Sequence, residues 1–505
     1  MSRMPPIAAQ TDALATPRAW ITWPLLAALA AAMLFIGRGV NVFIDPDSYW
    51  HLAAGRWIIE HRTIPTTDPF SWTFAGSPWL AHEWLSEVLI AAAFQAGEWL
   101  GVAALMATAF ALSMAAMTRA LMRRAVPRRA LMLLPLVLLT FNPHLLARPH
   151  VLALLPMCLW VVHLMDRAEA GRSPSVWALP LIAVWSCLHG SFLLGLLLVP
   201  VFAFETILAS PTARIRWTQL RGWTVFLLGS VAVCCATPLG PEALLFPFQV
   251  VGMNKSLALI GEWQSPNFQT FQAVEVWILL SLAIALLLKP EMRWTRVLLL
   301  LGVLHLALKH QRHADLLALL GPLVLIGPLN QALERCFPAN HATVLDRIFL
   351  RMADPGRASV FVMAVGLAIA GMIAIKQTDL KPAAGNSPEA ALAAVAQAGI
   401  EGPVFNHYNF GGYLIFRGIP TFIDGRADLF GDDFVSEVTD ASKLGEKLVT
   451  LIERYQPGWT LLPPNSPAIW VLDNLPGWQR FYADDVAVVH RRIAADAPTG
   501  NAQPR

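Results

Sequence analysis

Charge is scarce in this chain. Only 14% of its 505 residues are Asp, Glu, Lys or Arg, 56% are hydrophobic, and mean hydropathy is +0.52. A soluble globular protein is closer to a quarter charged, so a soluble domain is excluded. Cysteine is scarce too. Cys158, Cys187, Cys234, Cys235 and Cys336 show no zinc spacing and no disulfide framework, and four of them lie in apolar runs. No small-residue cleavage site follows the first apolar run, so a retained helix is expected there and not a removed signal peptide. There is no Gly-x-Gly-x-x-Gly fingerprint for a dinucleotide and no internal repeat of the kind many transporters carry. A net charge of +3 gives no reason to expect a nucleic-acid partner.

What the chain does have is apolar runs long enough to span a bilayer, with 19 Trp to anchor them at interfaces. About eleven spans are expected, at roughly 20–43, 99–117, 131–146, 150–165, 176–189, 191–209, 222–237, 270–288, 296–309, 314–329 and 358–376. Lys and Arg concentrate in alternate loops. One set holds Arg3 and Arg18, then Arg119, Arg123, Arg124, Arg128 and Arg129, Arg167 and Arg172, Arg214, Arg216 and Arg221, Lys289, Arg293 and Arg296, and Arg335, Arg347, Arg351 and Arg357; the other holds only Arg56, Arg62, Arg148, Lys255, Lys309 and Arg312. By the positive-inside rule the richer set is cytoplasmic.

The expected organisation is therefore a cytoplasmic tail over 1–19 and a transmembrane domain over 20–376 with a long first external loop at 44–98. An extracytoplasmic α/β domain over 377–492 and a disordered tail over 493–505 complete it. Within the first loop, 83–94 reads as an amphipathic helix lying in the interface. In the C-terminal domain, short buried strands are expected at 404–405, 421–423, 459–462 and 486–489, with helices at 390–398 and 442–454 between them. That alternation favours a parallel sheet.

Topology built from Lys and Arg alone puts nearly every chemically versatile cluster on the external side. Asp45-Pro46-Asp47-Ser48-Tyr49-Trp50-His51 opens the first loop at the mouth of the first span. Its two acids could hold a divalent cation, Mg or Mn, or one could serve as general base, with His51 a helical turn beyond Asp47. The plain alternative is turn chemistry at Asp-Pro-Asp. His82 and Glu83 fit either an acceptor site or a helix start.

Arg148 and His150 flank a very short loop, and a guanidinium fork there suits phosphate or lipid headgroups. Lys309, Arg312 and His313 crowd a tight external loop against the positive-inside bias, which an anionic lipid phosphate would explain. His189 sits in a near-zero hairpin, and Glu262 in a Pro- and Trp-rich loop. In the C-terminal domain, Asp424 and Arg426 follow a strand, where α/β domains bind ligands, though they could equally pair with each other.

In order and content this chain resembles the GT-C glycosyltransferases. One span is followed by the acidic motif Asp45-x-Asp47, many further spans, and an external α/β domain. Asp45–Gly55, Trp79-Leu80-Ala81-His82-Glu83-Trp84 and Phe422-Ile423-Asp424-Gly425-Arg426 are similar to uncharacterised bacterial membrane proteins of this type. The Trp-Trp-Asp-x-Gly signature of oligosaccharyltransferases is absent. The resemblance implies a polyprenyl-phosphate-sugar donor, a glycan, lipid or protein acceptor, and inversion at the anomeric carbon. Asp45 or Asp47 would take the acceptor's proton while Arg148, Lys309, Arg312 and His313 receive the phosphate. His82, Glu83, His150, His189, Glu262, Asp424 and Arg426 would line the acceptor side. Competing readings are a transporter or flippase of a lipid-linked or anionic solute, and a non-enzymatic envelope protein.

Overall fold

The first apolar run folds as helix α1 (Trp23–Gly37), entered through Pro24, whose missing N–H costs nothing in a first turn. The structure, a computed structural model, describes residues 19–338, 343–353, 358–366, 371 and 380–493. A short 3-10 turn leads to helix α2 (Asp47–His61), which ends where Arg62 adopts left-handed backbone. Helix α3 (Trp84–Met122) follows; it breaks at Gly97 and Glu98, the latter with φ of 51°. The interfacial helix and the span expected as separate elements are thus one helix with a sharp break between them.

By length and composition, Trp84–Met122, Pro149–Glu169, Phe192–Ala209, Ala213–Cys235 and Gln311–Cys336 can each cross a membrane; Trp23–Gly37, Val176–Leu188, Glu242–Val251 and Ala273–Leu287 are apolar but shorter. The chain is a multi-pass, largely helical membrane protein. Two expectations shift. The run at 131–146 holds a helix of only eight residues, Leu134–Phe141, and the loop at 238–269 contains the apolar helix Glu242–Val251. Residues 358–366 are helical, whereas most of the remaining expected span at 358–376, and the tails over 1–18 and 494–505, lie outside the described residues.

The bundle's core runs through Phe110, Phe141, Trp160, Trp185, Phe202 and Leu319, all buried. At its far end Glu205 is buried and gripped by Arg293 (2.7 Å) and Arg296 (3.0 Å), and Arg296 also reaches Glu169 (3.0 Å). Charges there are paired with each other, as burial requires.

The C-terminal sheet comprises β1 (Val404–Asn406), β2 (Trp459–Leu462), β3 (Trp478–Ala483) and β4 (Val488–Arg492), in the order β1-β2-β4-β3. Only β1 and β2 are parallel; β4 runs antiparallel to both β2 and β3. The parallel sheet favoured by the sequence is therefore a mixed one. The expected strand at 421–423 is not in it, for a visible reason. The Asn406 side chain takes the place of a neighbouring strand, accepting from Phe422 N–H (2.8 Å) and donating to the Ile423 carbonyl (2.7 Å). On its other side the segment pairs with the first loop: Thr421 N–H donates to Phe70 (3.1 Å) and Trp72 N–H to Thr421 (3.0 Å).

The first loop and the C-terminal domain share one core, in which Trp50, Ala54, Trp79 and Ala81 pack with Phe422, Ile423, Phe430 and Phe434. Tyr49 bridges α2 to α3 and to the domain through edge contacts with Trp99 (5.2 Å) and Tyr413 (5.1 Å).

Candidate active site

The acidic motif does two jobs at once. Asp45 Oδ1 accepts the N–H of Asp47 (2.9 Å), which closes the turn that starts α2. Its other oxygen, Oδ2, faces Arg148 at 3.0 Å, and Asp47 Oδ2 meets the same guanidinium at 2.5 Å. The turn expected at Asp-Pro-Asp is thus present, and both carboxylates also contact Arg148. Arg148 is held in register with α2 by its neighbour: Ala147 N–H donates to Val42 (2.7 Å), and the Ser48 hydroxyl donates to the Ala147 carbonyl (3.3 Å).

Glu262 extends the cluster. One of its oxygens lies 3.0 Å from Arg148 and the other 3.0 Å from Arg312, whose guanidinium stacks 4.5 Å above Trp263. Asp45, Asp47, Arg148, Glu262 and Arg312 thus form one continuous chain of contacts across four segments far apart in sequence. Burial and the adjacent Asp45 push the Asp47 carboxyl up to about 7 against the pull of Arg148. A carboxyl poised there is half ionised at neutral pH, the condition a general base needs.

Arg148 sits between the two aspartates, where a bridging cation would have to sit. Among the described residues no group of three or more His, Cys, Asp or Glu is arranged to hold a metal ion. The residues present do not fit a metal at Asp45 and Asp47 while Arg148 is there.

Behind α2 lies a second cluster. Glu83 is approached by Nε2 of His51 (3.8 Å), His82 (3.6 Å) and His189 (3.4 Å), and His51 Nδ1 faces Glu87 at 3.5 Å. Burial raises Glu83 to about 8, lowers His82 to about 4, and holds His51 and His189 well below the usual imidazole value. At neutral pH these groups are neutral, so the contacts are polar packing between uncharged partners and not ion pairs. The N–H of Ser191 donates to His189 Nδ1 (3.1 Å), which makes Nε2 the protonated nitrogen facing Glu83. His51 is only 2% exposed; it backs Asp47's helix instead of facing open space. His150 lies 4.0 Å from buried Asp315, and His144 lies 3.9 Å from it.

Other residues from the sequence fall less centrally. Lys309 is exposed and, among the described residues, joins no ion pair; its carbonyl accepts from Ser265 (3.2 Å). His313 is half-buried, its ring edge-on to Trp263 and His310. Asp424 and Arg426 are fully buried. Arg426 is fixed by Asp424 (2.7 Å) and Asp68 (2.6 Å) and lies between Phe70 and Trp79. They line no open space and instead rivet the C-terminal domain to the first loop.

Between them, Gly425 touches the site: a Cβ there would meet Asp47 Oδ1 and come within 2.9 Å of Trp50 Nε1. Gly412 makes the same close approach to the Pro46 carbonyl. The Gly-Gly and Asp-Gly-Arg loops are therefore the domain's contact with the acidic motif.

Sequence reasoning missed Asp68, Glu87 and Asp315. Glu87 had a signal, its four-residue spacing from Glu83 on one helix face; Asp68 and Asp315 had none.

In fold, this helical membrane bundle with its docked C-terminal domain is of the GT-C type. Among solved structures it is similar to ArnT from Cupriavidus metallidurans bound to undecaprenyl phosphate, with a TM-score of 0.51 and 15% identity over 94% of this chain and 98% of that one. The apo form of the same protein matches with a TM-score of 0.50 and 14% identity over 93% and 97% of the two chains. An Archaeoglobus fulgidus oligosaccharyltransferase, in complex with zinc and sulfate, matches at 0.47 and 11% identity over 87% and 68%. No protein-family profile and no curated protein matches the sequence.

Proposed function

We propose that this protein is a membrane glycosyltransferase that moves a sugar from a polyprenyl-phosphate-linked donor to an acceptor hydroxyl on the extracytoplasmic face. One observation carries the reading: in a GT-C fold, Asp45 and Asp47 converge on Arg148 at the bundle mouth, with Arg312 one carboxylate away.

Asp47 is the base. Both carboxylates contact Arg148, but Asp45 also closes the turn, while Asp47 is poised near neutrality. The acceptor oxygen attacks the anomeric carbon as its proton passes to Asp47. The bond from that carbon to the phosphate oxygen breaks, its electron pair stays on the phosphate, and Arg148 and Arg312 stabilise the charge that develops.

A groove of about 510 Å³ runs between helices Phe192–Ala209 and Trp294–Lys309, lined by Leu194, Val201, Phe204, Leu298, Val303 and Leu306. Its Leu306 end leads toward the segment carrying Lys309 and Arg312. The undecaprenyl phosphate bound by ArnT supports a carrier of that class.

The test is Asp47→Asn and Asp45→Asn in cells, with mass spectrometry of envelope glycans, glycolipids and glycoproteins. Asp47→Asn is expected to abolish one sugar modification while membrane insertion is unchanged, and the class of molecule that loses the sugar names the acceptor. Unaltered transfer by Asp47→Asn refutes the base.

A further inference from the structure

Glu262 occupies an unusual position for a loop acid. It lies in the turn Gly261–Trp263, and its two oxygens are shared out, one to Arg148 and one to Arg312, each at 3.0 Å. Arg148 already carries Asp45 and Asp47. Three carboxylates around two guanidiniums leave no uncompensated positive charge for an incoming anion. A phosphate added between the two arginines without removing Glu262 would meet its carboxylate at contact distance, with Asp45 and the half-ionised Asp47 just beyond Arg148.

The surrounding backbone is built to stay in place. Gln311 N–H donates to the Gln264 carbonyl (2.9 Å), Gln311 Nε2 donates to the Gly261 carbonyl (2.6 Å), and the His310 ring bonds to the Trp263 carbonyl. Trp263 supports the Arg312 guanidinium from beneath. The Glu262 side chain is 28% exposed, so it can rotate toward solvent without opening the turn. Against the upward effect of burial, Arg148 and Arg312 bring its carboxyl down to about 2, so it is an anion throughout the physiological range.

We propose that Glu262 is a built-in stand-in for the phosphodiester of the donor: its carboxylate holds the subsite between Arg148 and Arg312 in the empty protein and is displaced when the phosphodiester binds. The match is chemical. A carboxylate and a phosphodiester each carry one negative charge and two free oxygens, one for each arginine, whereas the monoester left after transfer carries up to two charges and three oxygens. The residue keeps both guanidiniums aimed at one point and must be outcompeted by the ligand. The inference rests on the donor reading above and adds a cost to donor binding that the reading alone does not contain.

The test measures equilibrium binding of undecaprenyl methyl phosphate, a sugar-free phosphodiester, to the full chain in neutral-lipid nanodiscs. Glu262→Gln is expected to bind it about tenfold more tightly than the parent. Glu262→Asp, too short to span both arginines, is expected to fall between them; it also carries the test if Glu262→Gln does not fold. Arg312→Gln is expected to weaken binding in both the parent and the Glu262→Gln background. If both Glu262 variants bind no more tightly than the parent while Arg312→Gln still weakens binding, Glu262 is a brace, the proposal is overturned and the donor site stands. If Arg312→Gln and Arg148→Gln change nothing in any background, the donor site itself is refuted.

Discussion

Removing the positive charge at residue 148 while leaving its three acids in place gives the sharpest test of the site. In Arg148→Gln, Asp47 loses the group that opposes burial and Asp45, so its proton affinity must rise above the present value of about 7. Two unit charges about 4 Å apart interact by roughly 4 kcal/mol at an effective dielectric of about 20. Asp47 is partly open to solvent, which screens the pair, so about 2–4 kcal/mol is reasonable. At about 1.4 kcal/mol per tenfold, its titration moves up by roughly 1.5–3 pH units.

The ionised fraction at pH 7 then falls from about a half to between roughly 3% and 0.1%, and the acid limb of transfer moves to higher pH by the same amount. Infrared titration of the protonated carboxyl band in nanodiscs reads this without a substrate, with Asp47→Asn marking the band's owner. Arg148→Lys keeps the charge and should hold the titration within about one unit of the parent.

Stability follows with a definite sign. The folded value lies above the ordinary 3.8, so the stabilisation from protonated Asp47 is complete below that value and is lost as pH rises through about 7. In Arg148→Gln the loss continues into the alkaline range, and the melting temperature should fall over that added window. A band that stays near pH 7, or moves down, would refute the electrostatic account.

Three further outcomes follow from the geometry. Gly425→Ala inserts a methyl group against Asp47 Oδ1 and Trp50; overpacking of about 1–3 kcal/mol, if it falls on the transition state, lowers transfer roughly 5- to 150-fold, read as a drop in kcat with the protein still membrane-inserted. Arg426→Leu leaves Asp68 and Asp424 buried without their partner and is expected to cost about 3–5 kcal/mol, seen as protease sensitivity in both the 66–80 loop and the C-terminal domain. His51→Gln is expected to alter stability more than the pH–rate profile, because the imidazole is neutral and faces Glu83 and Glu87; a displaced acid limb in that variant would instead make His51 part of the base.

Much of the site was legible because membrane proteins tolerate few charges. Against an apolar background Asp45, Asp47, Arg148, Glu262 and Arg312 stand out individually, and loop charge bias collects them on one face. Their pairing was not legible. Glu262 bridging two arginines depends on the fold of two loops and leaves no periodic trace. The same limit left the roles of Asp424 and Arg426 open between ligand groups and a mutual pair. Asp424 and Arg426 look like ligand groups after a strand, but the partner that completes their network, Asp68, is 358 residues from Arg426. The segment at 421–423 has a strand's composition yet is bonded by the Asn406 side chain and by the first loop, a substitution that no β-pattern encodes.

That separation of 358 residues also sets a schedule for biosynthesis. The first loop leaves the ribosome long before the segment carrying Arg426 exists. At about 5–20 residues per second the wait is roughly 20–70 s. Throughout it Asp68, Trp72 and Trp79 have no finished partner, while the intervening helices insert one after another. The segment that closes the first loop is thus made well after that loop, so a product cut short before Arg426 leaves Asp68 without its guanidinium.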